Sequence, residues 1–311
     1  VQAKAFFTSP EPQGLLKDLN QLIWYQDEPF WSTTTYNHFC VMRLARQNGV
    51  TVLLDGQGGD ELLAGYHHYA FEYILHLLQH GKIKRLAKQI DHLSKFTSQS
   101  KIRLLLGALA LTLSPQLRFQ LQQRFGYIEK RVIQPHYLHQ AGDIQKTYDP
   151  VSNDRILNRN YYDFHYSIPH LLRLEDRNSM AFSLESRVPF LDYRLVELLF
   201  SVPAEQKYAQ GISKLILRNS MRGIVPDQIL NRKDKIGFAT PEPKWMRTTL
   251  AGVLNDEFHS ASFRNRGIYN VELLLKYFTE FIKGRRINSY VIWRWFNLEK
   301  WFQLVEKGFS A

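Results

Sequence analysis

The sequence predicts a helix-rich α/β fold: a partial α/β layer near the N-terminus, covered by a large helical region. Three observations predict it. The stretch "VTVLL" (50–54), with two β-branched valines, a threonine and no charge, is the best strand in the chain. It runs into "DGQGGD" (55–60), a turn of three glycines and two aspartates that enters a helical pattern. Beyond residue 81 strand signals are hard to find, and the chain closes on an aromatic-rich helical stretch, "NSYVIWRWFNLEKWFQLVEKG" (288–308). Early strands followed by a run of helices point to a layered arrangement.

Taken in order, "KAFF" (4–7) is an apolar run followed by turn residues, and a strand is expected there. Residues 14–25 place Leu15, Leu19, Leu22 and Ile23 on one helical face. Residues 34–48 give a second helix, stopped by Asn48-Gly49. From Asp60 the set Leu62, Leu63, Tyr66, Tyr69, Tyr73, Ile74 and Leu77 keeps a helical period as far as Gly81. Residues 82–125 and 150–222 read as mostly helical, with a polar loop near 140–155. No internal repeat or low-complexity linker divides the chain, so 1–81 is read as the α/β layer and 82–311 as the helical part of one domain.

Bulk properties narrow the class. At 311 residues, 44% hydrophobic and 14% aromatic, the chain has apolar material for a real core. The lone cysteine, Cys40, can form neither an intrachain disulfide nor a thiolate metal site, which predicts a reducing, cytoplasmic compartment. Cys40 lies among apolar residues in "YNHFCVMRLARQ"; a small buried hydrophobe is the plainer reading, a nucleophile the sharper one. "VQAKAFFTSPEPQG" does not have the form of a signal peptide. The most apolar run, "LLLGALALTL" (104–113), is half of the roughly 20 residues a membrane span needs. The net charge is +11, and residues 82–131 hold eleven Lys/Arg against Asp91 and Glu129. That is either a solvated basic face on amphipathic helices or a docking surface for a phosphate-rich or anionic-lipid partner. With no recognised nucleic-acid-binding motif, nucleic acid is not expected as a partner. Contact with a membrane surface and a homodimer both stay open.

A strand that ends in glycines and enters a helix is a device for anions. Glycine lets a ligand approach the backbone, and a helix start offers unpaired N–H groups. Here Gly56, Gly58 and Gly59 supply the backbone and Asp60 is placed as an N-cap. The loop continues Asp-Glu, so it is not a Walker A loop; Glu61 stands where a dinucleotide-binding motif needs its third glycine. Carboxylates beside phosphate-binding backbone make sense with a divalent cation between them. On local spacing alone, a tight turn with an acidic cap and no ligand explains it equally well. Two later segments bear on the choice. "LLRLEDRNSMAFSLESRVPFLDYRLVELL" (171–199) threads Glu175, Asp176, Arg177, Glu185 and Arg187 through an apolar pattern. "GISKLILRNSMRGIVPDQILNRKDKIGFATP" (211–241) sets Lys214 and Arg218 one helical turn apart and a basic run, 232–235, before Gly237. Each taken alone is as consistent with structural ion pairs as with function.

In this order, "DGQGGDELLAGYHHY", "LLRLEDRNSMAFSLESRVPFLDYRLVE" and "KLILRNSMRGIVPDQILNRKDKIGF" resemble the synthetase domain of the asparagine synthetase family, the glutamine-dependent amide-forming ligases. The resemblance runs from "WYQDEPF" (24–30) to Trp245. It implies an incomplete parallel sheet of the adenine-nucleotide alpha-hydrolase-like (PP-loop ATP pyrophosphatase) type, with a large helical C-terminal region. It also implies ATP and Mg²⁺ as cofactors. By position, Asp60 would be a Mg²⁺ ligand, and Asp55 with the Gly56, Gly58 and Gly59 backbone would surround ATP. Glu28 would stand beside that site, and Lys235 would stabilise the adenylation transition state. Glu185 and Arg187 would be architectural. The implied chemistry has two steps: a carboxylate, aspartate in the eponymous enzyme, forms an acyl-adenylate, and ammonia from a glutaminase domain then displaces AMP.

Two departures qualify this. Position 57 is Gln where asparagine-forming relatives carry Glu, and a neutral amide orients but cannot act as a base. Glu175 or Asp176 is the candidate replacement, and the acceptor could instead be a cell-envelope sugar, a lipid-linked precursor or a peptide. Second, the family's pyrophosphate loop, Ser-Gly-Gly-x-Asp-Ser, does not occur in this sequence, and residue 1 is Val rather than a catalytic cysteine. The expectation is a C-terminal portion without glutaminase activity or a complete ATP site, either inactive alone or a non-catalytic remnant. Other constellations carry less: His67 and His68 diverge on a helix, and His136 and His139 have no third ligand nearby in sequence.

Overall fold

The computed structural model describes residues 3–97, 99–113, 117, 131–141, 150–232, 237, 239–285 and 288–308. Two helices, α1 (Pro12–Gln26) and α2 (Thr34–Gln47), precede the strand β1 (Val52–Leu54). The glycine loop leads into a one-turn helix α3 (Gly59–Leu62), then α4 (Tyr69–Gln79), α5 (Ile83–Thr97) and α6 (Lys101–Ala110). After α7 (Pro135–Ala141) come α8 (Arg155–Tyr162), a π-turn (Asp163–Ser167), α9 (Ile168–Met180) and the strand β2 (Glu185–Arg187). A 3₁₀ turn (Pro189–Leu191) leads to α10 (Tyr193–Ser201), α11 (Ala204–Lys207) and a hairpin of β3 (Tyr208–Ala209) and β4 (Ile212–Ser213). Seven helices follow: α12 (Leu215–Ser220), α13 (Asp227–Leu230), α14 (Glu242–Arg247), α15 (Ala251–His259), α16 (Ala261–Asn265), α17 (Val271–Ile282) and α18 (Ser289–Glu306).

The sheet that positions the loop is small. β1 pairs in parallel with β2, with Leu53 opposite Ser186 and Leu54 opposite Arg187. Sequence gave no strand signal at 185–187, because a polar Glu-Ser-Arg triplet has none of the β-branched or aromatic residues that mark one. Pleating turns Leu53 and Ser186 inward and leaves Val52, Leu54, Glu185 and Arg187 on the outer face. The aliphatic run therefore does not make a buried strand: Leu54 is 77% exposed.

The main core is helical. Leu15, Leu19, Leu22 and Ile23 of α1 are all buried, as their spacing predicts, and pack in one cluster with α2 and the helices from α14 to α18. The tail helix α18 buries Val291, Ile292, Trp293, Trp295 and Phe296 on several faces, which requires neighbours all round. A second cluster joins α4, α5 and α6 to Ile156 and Tyr208. Cys40, 7% exposed, is a buried thiol in the main core, and burial raises its pKa, the environment of an inert packing residue.

Two local expectations fail. "KAFF" forms no regular element; its residues are exposed, Phe7 at 88%, and no strand among the described residues pairs with it. The helix expected from Asp60 to Gly81 is broken between Leu62 and Tyr69. Ala64 adopts φ +55° there, and the Gly65 N–H donates to the Asp60 carbonyl at 2.8 Å. The break lets the Lys214 N–H reach the Leu63 carbonyl at 3.1 Å. The polar loop expected near 140–155 falls largely outside the described residues.

Candidate active site at the end of the first strand

The glycine loop is packed from within by the segment that follows β2. A Cβ on Gly58, whose φ is +90°, would lie 2.4 Å from Leu191 Cδ2, and one on Gly59 would touch the Phe190 ring. These two glycines are accounted for by the Val-Pro-Phe-Leu-Asp turn, so the second motif acts on the first through packing. Gly56 is the open position, exposed and with nothing near a Cβ. The cap differs from expectation: Gly58 is the N-cap and Asp60 sits inside the first turn. With α3 only one turn long, its dipole contributes little to holding an anion.

Asp60 is half-buried, and its Oδ1 lies 2.9 Å from Lys214 Nζ. Lys214 is held in the left-handed conformation at φ +54°, a strained state for a residue with a Cβ and one that clusters at functional sites. Gly65 leaves the space that the Asp60 carboxylate fills, since a Cβ there would overlap Asp60 Oδ1 and push it aside. A carboxylate is the hard oxygen ligand that Mg²⁺ takes, so by type Asp60 would be the residue to hold that ion, with Lys214 beside its Oδ1. A cavity of about 830 Å³ opens here, with Asp60 and Lys214 at one end and Phe71, Leu93, Leu104 and Met221 among its apolar walls. Asp55, Gln57 and Glu175 are not among its lining residues.

Those three residues meet instead at the tip of β1. The Asp55 N–H donates to the Arg187 carbonyl at 2.8 Å, extending the strand pairing by one residue and fixing where its side chain begins. Glu175, from α9, is 3% exposed; its Oε1 accepts from Ser186 Oγ at 2.8 Å, and Gln57 Nε2 lies 3.5 Å from its Oε2. His38 of α2, which sequence reasoning did not single out, completes the group with Nε2 2.9 Å from Glu175 Oε2. Burial alone would push the Glu175 carboxyl up, but the His38 and Ser186 contacts outweigh it and hold it at about 2. Burial and the adjacent Glu175 push Asp55 the other way, above the usual aspartate range.

By residue type His38, Asp55 and Glu175 are also a metal donor set, with ligand atoms all within 4.8 Å of one another. The hydrogen bonds behind His38 rule against it. Asn178 Nδ2 donates to the Thr35 carbonyl at 3.1 Å, and its Oδ1 accepts from Gln26 Nε2 at 2.8 Å, so the amide orientation is set from both sides. The same Nδ2 lies 2.9 Å from His38 Nδ1, which must then accept, and the neutral ring carries its proton on Nε2, facing Glu175. A metal ligand needs the reverse, a bare Nε2 and a donating Nδ1–H.

The remaining predicted residues divide. Asp176 is exposed, one position and about 100° round the helix from Glu175. Glu28 is half-exposed and ion-paired with Arg173, while Arg177 lies 2.6 Å from Asp27; the turn after α1 is thus clamped to α9. Glu185 and Arg187 pair with each other at 2.8 Å on the outer face of the sheet. Lys235 lies outside the described residues. Beneath the loop runs a buried polar network missed from sequence. Tyr69 Oη donates to Asp163 Oδ2 at 2.8 Å, Arg159 pairs with Asp163 at 2.8 Å, and Lys207 Nζ donates to Asn160 Oδ1 at 2.8 Å. Lys207 is 1% exposed, and burial lowers it to about 8. No sequence periodicity announces such groups, because a network is defined by contacts between distant segments.

No helix among the described residues is long and apolar enough to cross a membrane. The chain is 30% identical over 247 residues to asparagine synthetase [glutamine-hydrolyzing] 1 of Bacillus subtilis, which covers 77% of this chain and 38% of that protein. A second Bacillus subtilis protein, asparagine synthetase [glutamine-hydrolyzing] 3, is 41% identical over 87 residues, 28% of this chain and 14% of its own length. A Mycobacterium bovis relative is 31% identical over 245 residues, 74% of this chain and 35% of its own length. The chain therefore spans less than two-fifths of the length of these relatives. The model of the asparagine synthase family matches residues 8–303, nearly the whole chain, and the chain belongs to that family.

Proposed function

We propose that this chain forms part of an ATP-dependent amide ligase that converts aspartate to asparagine through a β-aspartyl-adenylate, with ammonia as the nitrogen donor. The observation that carries the reading is the convergence of two distant motifs at one strand tip: Asp55 and Gln57 from the glycine loop, Glu175 and Ser186 from 171–199. Open α/β sheets bind their ligands beyond the carboxyl ends of their strands, and this is such an end. Asp60 would hold Mg²⁺, which when bound neutralises charge on the departing pyrophosphate. The Gly56 backbone leaves room for nucleotide, and Lys214 balances Asp60. In this reading Lys235 stabilises the charge that develops as pyrophosphate leaves, and Gln57 orients the acyl group by its amide.

A second reading keeps the chemistry and changes the acceptor. The cavity beside Asp60, at about 830 Å³ and walled by apolar side chains, is far larger than aspartate requires. It leaves room for the body of a bulkier carboxylate, such as a lipid-linked or envelope precursor, although Asp55, Gln57 and Glu175 do not line it. ATP–pyrophosphate exchange with Mg²⁺, measured on the protein as the cell makes it, tests both. Exchange stimulated by aspartate supports the first reading, exchange stimulated only by a bulky carboxylate supports the second, and exchange with neither overturns the ligase assignment.

A further inference from the structure

We infer that Asp55 accepts the proton given up by the nitrogen nucleophile, with Glu175 and His38 as positioning residues behind it. The inference rests on the ligase reading and names the base for its second step.

Placement comes first. Asp55 is the residue at which β1 ends and the glycine loop begins, its backbone pinned to Arg187. It is half-buried and so within reach of solvent, whereas Glu175 behind it is not. Proximity comes second. A carboxylate oxygen of Asp55 and one of Glu175 lie within 4.8 Å of each other, close enough for the two groups to compete for one proton. With both ionised, the pair is a vacancy for one proton, and like-charge repulsion favours filling it. The third observation is the character of Glu175's other neighbours. Ser186 donates to it, the Gln57 amide lies at 3.5 Å, and the His38 tautomer set by Asn178 turns an N–H toward it. These groups keep Glu175 ionised, so the proton that comes and goes belongs to Asp55.

The step balances. The nitrogen lone pair forms the C–N bond to the activated acyl carbon. The C–O bond to the phosphate ester breaks, and its electron pair leaves with AMP. One N–H proton passes to the Asp55 carboxylate, is shared with Glu175, and returns to water from the accessible side of Asp55. Burial and the Glu175 charge raise Asp55 above the ordinary aspartate range, toward the value that suits a base near neutrality. Among the described residues, the titratable groups that face Asp55 are Glu175 on α9 and His38 on α2.

The test uses Asp55→Asn, Glu175→Gln and His38→Gln in the protein as the cell makes it. Activation is read as ATP–pyrophosphate exchange, and transfer as amide formed from added ammonia. Asp55→Asn is expected to slow amide formation by about 10²–10⁴-fold, the range for loss of a general base, and to slow exchange by a far smaller factor. His38→Gln, which can still present an N–H to Glu175, should keep most of the transfer rate. In parallel, infrared titration of the unmodified protein should show a carboxyl band protonating above the ordinary aspartate range. The band should vanish in Asp55→Asn and move toward the ordinary range in Glu175→Gln, where burial still raises it. Unchanged amide formation in Asp55→Asn, equal losses in exchange and transfer, or a band indifferent to Asp55→Asn each overturns the inference. Absence of exchange in the unmodified protein overturns the ligase reading itself and the inference with it. A loss confined to Asp55→Asn transfer cannot be mistaken for that result.

Discussion

The two ends of the chain solve the same problem with different materials. At the C-terminal end, α18 is buried in aromatic and aliphatic side chains, and Trp293 is 1% exposed with its indole N–H on the Phe30 carbonyl at 3.1 Å. Around the strand tip Leu54 is 77% exposed, and beside a small apolar cluster of Leu62, Leu63 and Leu199 the buried groups include four polar ones: Glu175, Asn178, Asp163 and Lys207. Apolar burial is non-directional and tolerates local rearrangement, whereas a polar network holds only while every partner is present. The first region can supply stability; the second supplies fixed geometry for charged groups, which is what a catalytic site requires.

If that division is right, the largest loss of stability belongs to the tail. Trp293→Ala removes a fully buried indole and orphans the Phe30 carbonyl, and is expected to cost about 3–5 kcal/mol in urea unfolding. A loss under about 1 kcal/mol would mean that α18 is not part of the main core, and the contrast would collapse.

Within the loop the effect is intermediate and position-specific. Gly58→Ala meets both a positive φ and the Leu191 side chain at 2.4 Å, so about 1–3 kcal/mol should be lost. Gly56→Ala, with open space around its Cβ, should stay within about 0.5 kcal/mol. Equal costs at the two positions would show that neither the positive φ nor the packing of Leu191 sets Gly58 apart.

These examples also mark what the sequence discloses. The α1 spacing names its buried residues correctly because burial on a helix is periodic, and the strand tip and glycine loop are legible from composition and turn chemistry. His38 is not legible: it sits in a helix that reads as core, and only the approach of α9 gives it a partner. The same holds for β2, whose Glu-Ser-Arg triplet becomes a strand only by pairing with β1. The roles of Gly58 and Gly59 were visible as glycine, but not as clearance for Phe190 and Leu191. Long-range contacts decide each of these, and local pattern does not encode them.

A smaller effect, of opposite sign, is expected at Asp55. Its folded pKa is raised, so its contribution to stability is complete below the ordinary aspartate range and declines as pH rises through the raised value. At neutral pH an ionised Asp55 beside Glu175 is a net cost. Asp55→Asn should therefore raise stability at pH 7, and the gain should fade as pH falls into the ordinary aspartate range. Glu175 runs the other way. Held at about 2, it contributes stability above the usual glutamate range that is lost as pH falls toward that value. A destabilised Asp55→Asn protein at pH 7 would mean that the Asp55 carboxylate holds the loop together, rather than being kept there at a cost.

The smallest effect tests the outer face of the sheet. Parallel strands are ordinarily covered on both faces, yet here Val52 and Leu54 stand beside the Glu185–Arg187 pair at the surface. With Leu54 largely in water, Leu54→Thr removes little buried area and supplies a residue suited to a strand, so unfolding free energy should change by less than about 0.5 kcal/mol. The measurement is informative because of the direction in which it can fail. A loss above about 1 kcal/mol, growing with protein concentration, would show that Leu54 is buried in solution by association. The strand tip would then rest on apolar burial as the tail does, and the contrast between the two regions would be one of partners rather than of materials.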